Sequence, residues 1–203
     1  TTMWIEKNQK KLLIAVSAIV VLVVAVLGYN QYVVKPNQEN INNENALATV
    51  YFMQGNYEVA LNGDSANCVG FKEIADEYAM YQGGKLAALY TGICYFQMGQ
   101  YEDAADYLKK FDAKDLNVAP AALQLLGDTY VRLEDYNNAA KAFESAAKSG
   151  NKVIAPMSLR KLGFVYLELE NKAAAKKAFE TIKNEYPASA EASDIDKYIS
   201  IAE

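Results

Sequence analysis

Hydrophobicity changes character several times along this chain. From Leu12 to Leu27 every residue is apolar or small, and Ser17 is the one polar side chain. As a helix rising ~1.5 Å per residue, this block spans roughly 24 Å, and continuing through Gly28 to Val34 brings it to bilayer thickness. Lys35-Pro36 should break or kink that helix. Asn37 to Asn45 is polar, Asn-rich and acidic, either a linker or the solvated start of the next helix. From Ala46 the pattern turns amphipathic, with Leu47, Val50, Tyr51 and Met53 at helical spacing. Downstream the phrase Leu-x-x-Leu-Gly-x-x-Tyr occurs twice, as Leu123, Leu126, Gly127, Tyr130 and as Leu159, Leu162, Gly163, Tyr166, 36 residues apart. Each copy is followed by Ala-x-x-x-Phe, first Ala139 with Phe143 and then Ala175 with Phe179. A repeat of this period predicts stacked helical hairpins.

The flanks of the apolar block set its expected role. Lys7, Lys10 and Lys11 precede it with Glu6 as the only acid, and no Lys or Arg follows until Lys35. The positive-inside tendency then keeps residues 1–11 cytoplasmic as a basic tail and sends the rest across. Ala25-Val26-Leu27 lacks the small final residue a signal peptidase needs, and Val26-Leu27-Gly28 is a weak site. Residues 12–34 therefore read as an uncut signal anchor, with Leu12, Leu13, Ile14, Ile19, Leu22 and Leu27 facing lipid. Trp4 lies near the inner headgroups and Tyr29 and Tyr32 near the outer ones. Residues 35–45 form the linker and 46–203 the external domain.

The repeat register organises that domain. Repeat three covers 120–155 and repeat four 156–189, each with a proline in the first turn of its first helix (Pro120, Pro156), where a missing N–H costs nothing. Gly127 and Gly163 are expected where the two helices of a hairpin cross closely. Repeat two, 85–119, is a degenerate copy with Gly92, Tyr95, Tyr101 and Ala104, in which Leu108 replaces the Phe. Repeat one, 41–84, keeps Tyr51, Tyr57 and Ala60 but is longer, so it holds an insertion, residues 62–70, after which the second helix resumes at Phe71. Residues 189–203 read as a capping helix with Ile195, Tyr198, Ile199 and Ala202 inward and Asp194, Asp196 and Lys197 outward.

Composition narrows the chemistry. The hydrophobic share is 52% and the formal net charge −5. With a positive tail, the external part is acidic, which argues against nucleic acid and anionic lipid headgroups as partners. There is no histidine, which removes the commonest general base and every His-containing metal site. Cys68, in a loop, and Cys94, at a packing position of a hairpin, read as two free or buried thiols, with a disulfide between them as the alternative in an exported domain. The pairs Glu102-Asp103 and Glu134-Asp135 read as solvated turns. Asp64 with Asn62, Ser65 and Asn67 is oxygen-rich but too poor in carboxylates for calcium. No enzyme, cofactor, metal or small-molecule substrate is expected.

The candidate site is the concave groove lined by first-helix residues that do not pack within their own hairpin. The register assigns to it Phe52 and Met53 with Thr49. Leu89, Ile93, Phe96 and Gln97 with Leu86 follow from repeat two. Repeat three contributes Asp128 and Arg132 with Ala121, Gln124 and Val131, and repeat four Arg160, Phe164 and Leu167 with Met157 and Glu168. Apolar side chains at such positions suit an extended or helical protein segment, while Asp128, Arg132 and Arg160 would orient a charged end. The other reading is that a tight superhelix buries part of this face against the next hairpin or a terminal helix.

The Leu/Gly/Tyr and Ala/Phe pattern, with Pro187 at the closing position, resembles the tetratricopeptide repeat family over roughly residues 41–189. Leu123 and Leu159 stand where that motif has Trp, and Asn151 where repeat three would close with Pro. The resemblance implies an all-α fold: a single N-terminal transmembrane helix, then a tetratricopeptide-type α-solenoid with a C-terminal cap. The layout is also similar to the YfgM family, ancillary subunits of the bacterial Sec translocon. It rests on the tail Glu6-Lys7-Asn8-Gln9-Lys10-Lys11, one uncut helix and external repeats. Ala60-Leu61-Asn62-Gly63-Asp64 followed by Gly70-Phe71 is similar to Bacteroidetes versions. That resemblance implies a periplasmic domain at the inner membrane. Its partners would be SecYEG subunits, a periplasmic chaperone such as PpiD, or newly exported clients. The alternative is a scaffold subunit of another cell-envelope complex.

Overall fold

A computed structural model describes residues 2–64, 66–112 and 115–203, with side chains described from Asn8 onward. The side chains of Trp4, Glu6 and Lys7, and the whole of Ser65, to which roles were given above, lie outside the described residues. The chain divides into two compact units, 1–43 and 44–203.

In the first unit α1 runs Thr2–Tyr29. It belongs to a helical stretch long and apolar enough to cross a bilayer, and none of its apolar window is buried. Leu12, Leu13, Ile14, Ile19, Leu22 and Leu27 are all exposed. A π-helical turn, Asn30–Val34, follows, with Lys35 N–H reaching back to Asn30 O. This turn lies immediately before Pro36. Proline cannot donate, and its ring crowds the carbonyl four residues back, so a widened turn lets the chain stay helical. Residues 35–45 are accordingly helix and not linker: they open α2, Lys35–Met53. Polar side chains bridge one helical turn there, as in Gln38 to Asn42 at 3.0 Å.

The second unit is a row of hairpins. Its helices are α3 Tyr57–Asn62, α4 Phe71–Glu77, α5 Gln82–Gln97, α6 Tyr101–Lys110, α7 Val118–Arg132, α8 Tyr136–Ala147, α9 Ile154–Glu168 and α10 Lys172–Glu185. A 3-10 turn, Ala190–Asp194, and α11, Ile195–Ile201, complete it. First and second helices pair as α5 with α6, α7 with α8, and α9 with α10. The four hairpin turns share one geometry. The repeat tyrosine's carbonyl accepts from the amide five residues on: Tyr51 from Asn56, Tyr95 from Gln100, Tyr130 from Asp135 and Tyr166 from Asn171, at 2.8–3.0 Å. The residue before that amide is left-handed each time: Gly55, Gly99, Glu134 and Glu170. Asn56, Asp135 and Asn171 then cap the second helix through their side chains. The degenerate first hairpin is thus built on the same plan as the strong ones.

The insertion splits the first hairpin's second helix into α3 and α4. Gly63 and Val69 pair as an antiparallel bridge across it, and α4 buries Phe71, Ile74 and Ala75. Cys68 and Cys94 are both buried and unpaired. Of the residues at helical spacing in α2, Leu47 and Val50 are exposed, as is the groove residue Met53, whereas Asn45 and Ala48 are buried. Ala48 occupies the position of the crossing glycines, so α2 turns that side to its own hairpin.

Candidate partner-binding groove

The first helices α2, α5, α7 and α9 present the candidate groove, and its two ends differ. At the early end Met53, Leu86 and Gln97 are exposed. Phe52 is half-buried because it packs edge-on to Tyr57 at 5.6 Å and Tyr90 at 5.1 Å, while Phe71 stacks on Tyr90 at 4.8 Å. Phe96 is half-buried against Tyr101 at 5.5 Å. Ile93 leans on the core cluster holding Leu89, Ala105, Leu108 and Leu126. Leu89 itself is buried, so it is a core residue and not groove lining. Helix α6 and the following hairpin close over it, and one-dimensional spacing does not carry that information. Gln124 is buried as well.

Toward the later end the groove positions meet their neighbours. Asp128 on α7 accepts from Lys161 Nζ on α9 at 2.6 and 2.8 Å, which ties consecutive first helices together. Arg160 donates to the Asp194 carboxylate at 2.7 and 3.0 Å and to Tyr198 Oη at 3.1 Å, with its guanidinium over the Tyr198 ring. Phe164 lies 5.0 Å from Tyr198 and 5.6 Å from Phe179. Asp128 and Arg160 are therefore used inside the fold, and the terminal helix covers part of the face. Asp194 is exposed, as expected, and is also Arg160's partner. Arg132 is exposed, Leu167 is half-buried, and Phe164 keeps 39% of its surface. Lys161, Asp194 and Tyr198 were not assigned to this face from the sequence. Position 36 residues on would have suggested a neighbour, but not which side chain reaches back.

A second concavity of about 560 Å³ opens between α8, α9 and α10. Its floor is apolar, from Leu159, Leu162 and Ala178, and Tyr166 donates to Glu144 at its wall. Burial together with the Glu144 carboxylate pushes the Tyr166 phenol up to about 12, so it stays protonated and serves as a fixed donor. Burial likewise pushes the Cys94 thiol up to about 12, which makes it a poor nucleophile.

Comparison with known proteins agrees with this geometry. Tetratricopeptide repeat models match residues 86–114, 120–149 and 157–189, which correspond to the hairpins α5/α6, α7/α8 and α9/α10. None of the curated proteins matches the sequence. Among solved structures, the chain is similar to nearly identical TPR-like repeats ascribed to a kinesin light chain of Podosopora anserina. The TM-score is 0.58 at 13% identity, over 81% of this chain and 85% of that one. It is also similar to MamA, with a TM-score of 0.53 at 19% identity, over 76% and 91%. At such identities the likeness concerns the fold. Matched models and shared turn geometry show that residues 86–189 carry tetratricopeptide repeats, a helical unit that implies a scaffold for protein–protein interaction.

Proposed function

We propose that this chain is a membrane-tethered adaptor whose repeats hold partner proteins on the periplasmic side of the bacterial inner membrane, beside the Sec export channel. The observation that carries the reading is a wholly unburied apolar helix joined in sequence to a repeat unit whose groove still offers Met53, Leu86 and Phe164 to solvent. Lys7, Lys10 and Lys11 ahead of that helix support a cytoplasmic N-terminus. The resemblance to the YfgM family supports SecYEG, a chaperone such as PpiD, and exported clients as partners. An apolar groove with methionine and aromatic side chains suits loose specificity. The groove side chains proposed to touch a partner are Phe52, Met53, Ile93, Phe96, Gln97, Arg132, Phe164 and Leu167.

The test is a photo-crosslinking residue at Gln97, which is exposed, in the full chain within intact membranes. Crosslinks to SecYEG subunits, the chaperone or nascent exported chains are expected. A single fixed partner outside the export machinery would sink the Sec reading and leave a scaffold of another envelope complex.

A further inference from the structure

The four hairpins share one register, so each first-helix position has three internal counterparts. Leu47, four residues before its repeat tyrosine, corresponds to Thr91, Leu126 and Leu162; Val50, one before it, corresponds to Cys94, Thr129 and Val165. All six counterparts are buried, none more than 9% exposed, whereas Leu47 is 49% and Val50 52% exposed. The second helix of the preceding hairpin covers these positions. Leu126 shares a cluster with Ala105 and Leu108 of α6. Leu162 and Val165 share one with Ala140 and Phe143 of α8. Among the described residues the element before α2 is the apolar α1 with its π turn, and not the second helix of a hairpin. Leu47 and Val50 thus form a stacking face of the solenoid left open.

Charge indicates what fits it. Between residues 44 and 84 Glu44, Glu58, Asp64, Glu73, Asp76 and Glu77 outnumber Lys72, even with Asp76 paired to Lys110 of α6 at 2.9 Å, while acids and bases beyond are close to balance. Two acidic first hairpins would repel one another, and so would an anionic membrane surface. We propose that the open face of α2 docks a basic amphipathic helix of a partner protein. That helix would present Ala and Leu or Phe at helical spacing, as α6 and α8 do, with Lys or Arg on its flanks. Leu47 and Val50 are not groove positions, so the proposal is independent of the Sec reading.

The probe is a labelled peptide with the sequence Lys172–Glu185, which carries Ala175, Ala178, Phe179 and Ile182 on one face and four lysines. Its anisotropy is followed as the full-length chain, in zwitterionic nanodiscs, is titrated in. Saturable binding is expected, weakened at least about tenfold by Leu47→Asp with Val50→Asp, and several-fold by raising salt from about 0.05 to about 0.5 M. No binding by the wild-type chain, or equal binding by the double variant, overturns the proposal. If the double variant loses helicity, Val50→Ser alone takes its place under the same criterion. A detergent-solubilised dimer that Leu47→Asp dissolves, or Leu47-dependent binding to anionic vesicles, would assign the face to a second copy or to lipid and equally overturn it.

Discussion

Glycine inside a helix costs about 1 kcal/mol against alanine, yet Gly92, Gly127 and Gly163 each sit mid-helix. A Cβ at Gly127 would come within 2.5 Å of the Phe143 ring, at Gly163 within 2.2 Å of the Phe179 ring, and at Gly92 within 2.6 Å of Leu108. Phe143 and Phe179 are essentially fully buried, so neither ring can step aside. Gly163→Ala should therefore destabilise the repeat unit by about 1–3 kcal/mol through overpacking, the reverse of what helix propensity predicts. A lower urea midpoint with unchanged slope would show it, and a raised midpoint would refute the close crossing. The recurring Gly and aromatic positions were legible in the sequence. That the closing Phe itself fills the space a side chain would need was not, because the sequence does not give the distance between two helices.

At the scale of elements, the insertion between α3 and α4 is organised by one side chain. Asp64 Oδ1 accepts from the amides of Ala66, Asn67 and Cys68 at 2.6–3.0 Å, and Oδ2 accepts from Tyr51 Oη at 2.8 Å. The oxygen-rich composition was visible beforehand, but the turning of three amides onto one carboxylate depends on backbone geometry. Those bonds, from Asn67 and Cys68 first, then Tyr51 and Ala66, hold the Asp64 carboxyl well below the usual carboxylate range. A depressed folded pKa contributes stability above the unfolded value of ~3.9, and the contribution fades as pH falls through the folded one. The stability difference between the wild type and Asp64→Asn should thus be full at pH about 7, undiminished at about 5, and shrink below about 4. Paired thermal melts across that range test it, and a difference independent of pH would show that the loop is not held by the charged carboxylate. Of the two readings open for the Asn-rich stretch 35–45, linker or start of the next helix, the helix is the one formed, and its one proline follows a π turn that makes room for it.

Across the second unit, stability should follow nearest-neighbour stacking. One core cluster joins α8, α9, α10 and α11 through Phe143, Leu162, Phe179 and Ile195. The split first hairpin relies on α3 of 6 residues and α4 of 7. Hydrogen exchange followed by mass spectrometry should find the slowest amides in α7–α10 and the fastest helical ones in α3 and α4. Uniform protection would mean that the unit opens as one block. Periodicity by itself determined the repeat architecture, the close-crossing glycines, the site of the insertion, the capping helix and the apolar N-terminal helix. These follow from side chains recurring along a single helix or at a fixed repeat length, and such regularities are local. Tertiary structure alone decided which faces stay open. Leu89 is sealed, Asp128 and Arg160 are taken by Lys161 and Asp194, and Leu47 and Val50 are left uncovered. Exposure depends on which neighbour lies across a helix–helix boundary, and identical positions in successive repeats differ in that neighbour while sharing the same pattern.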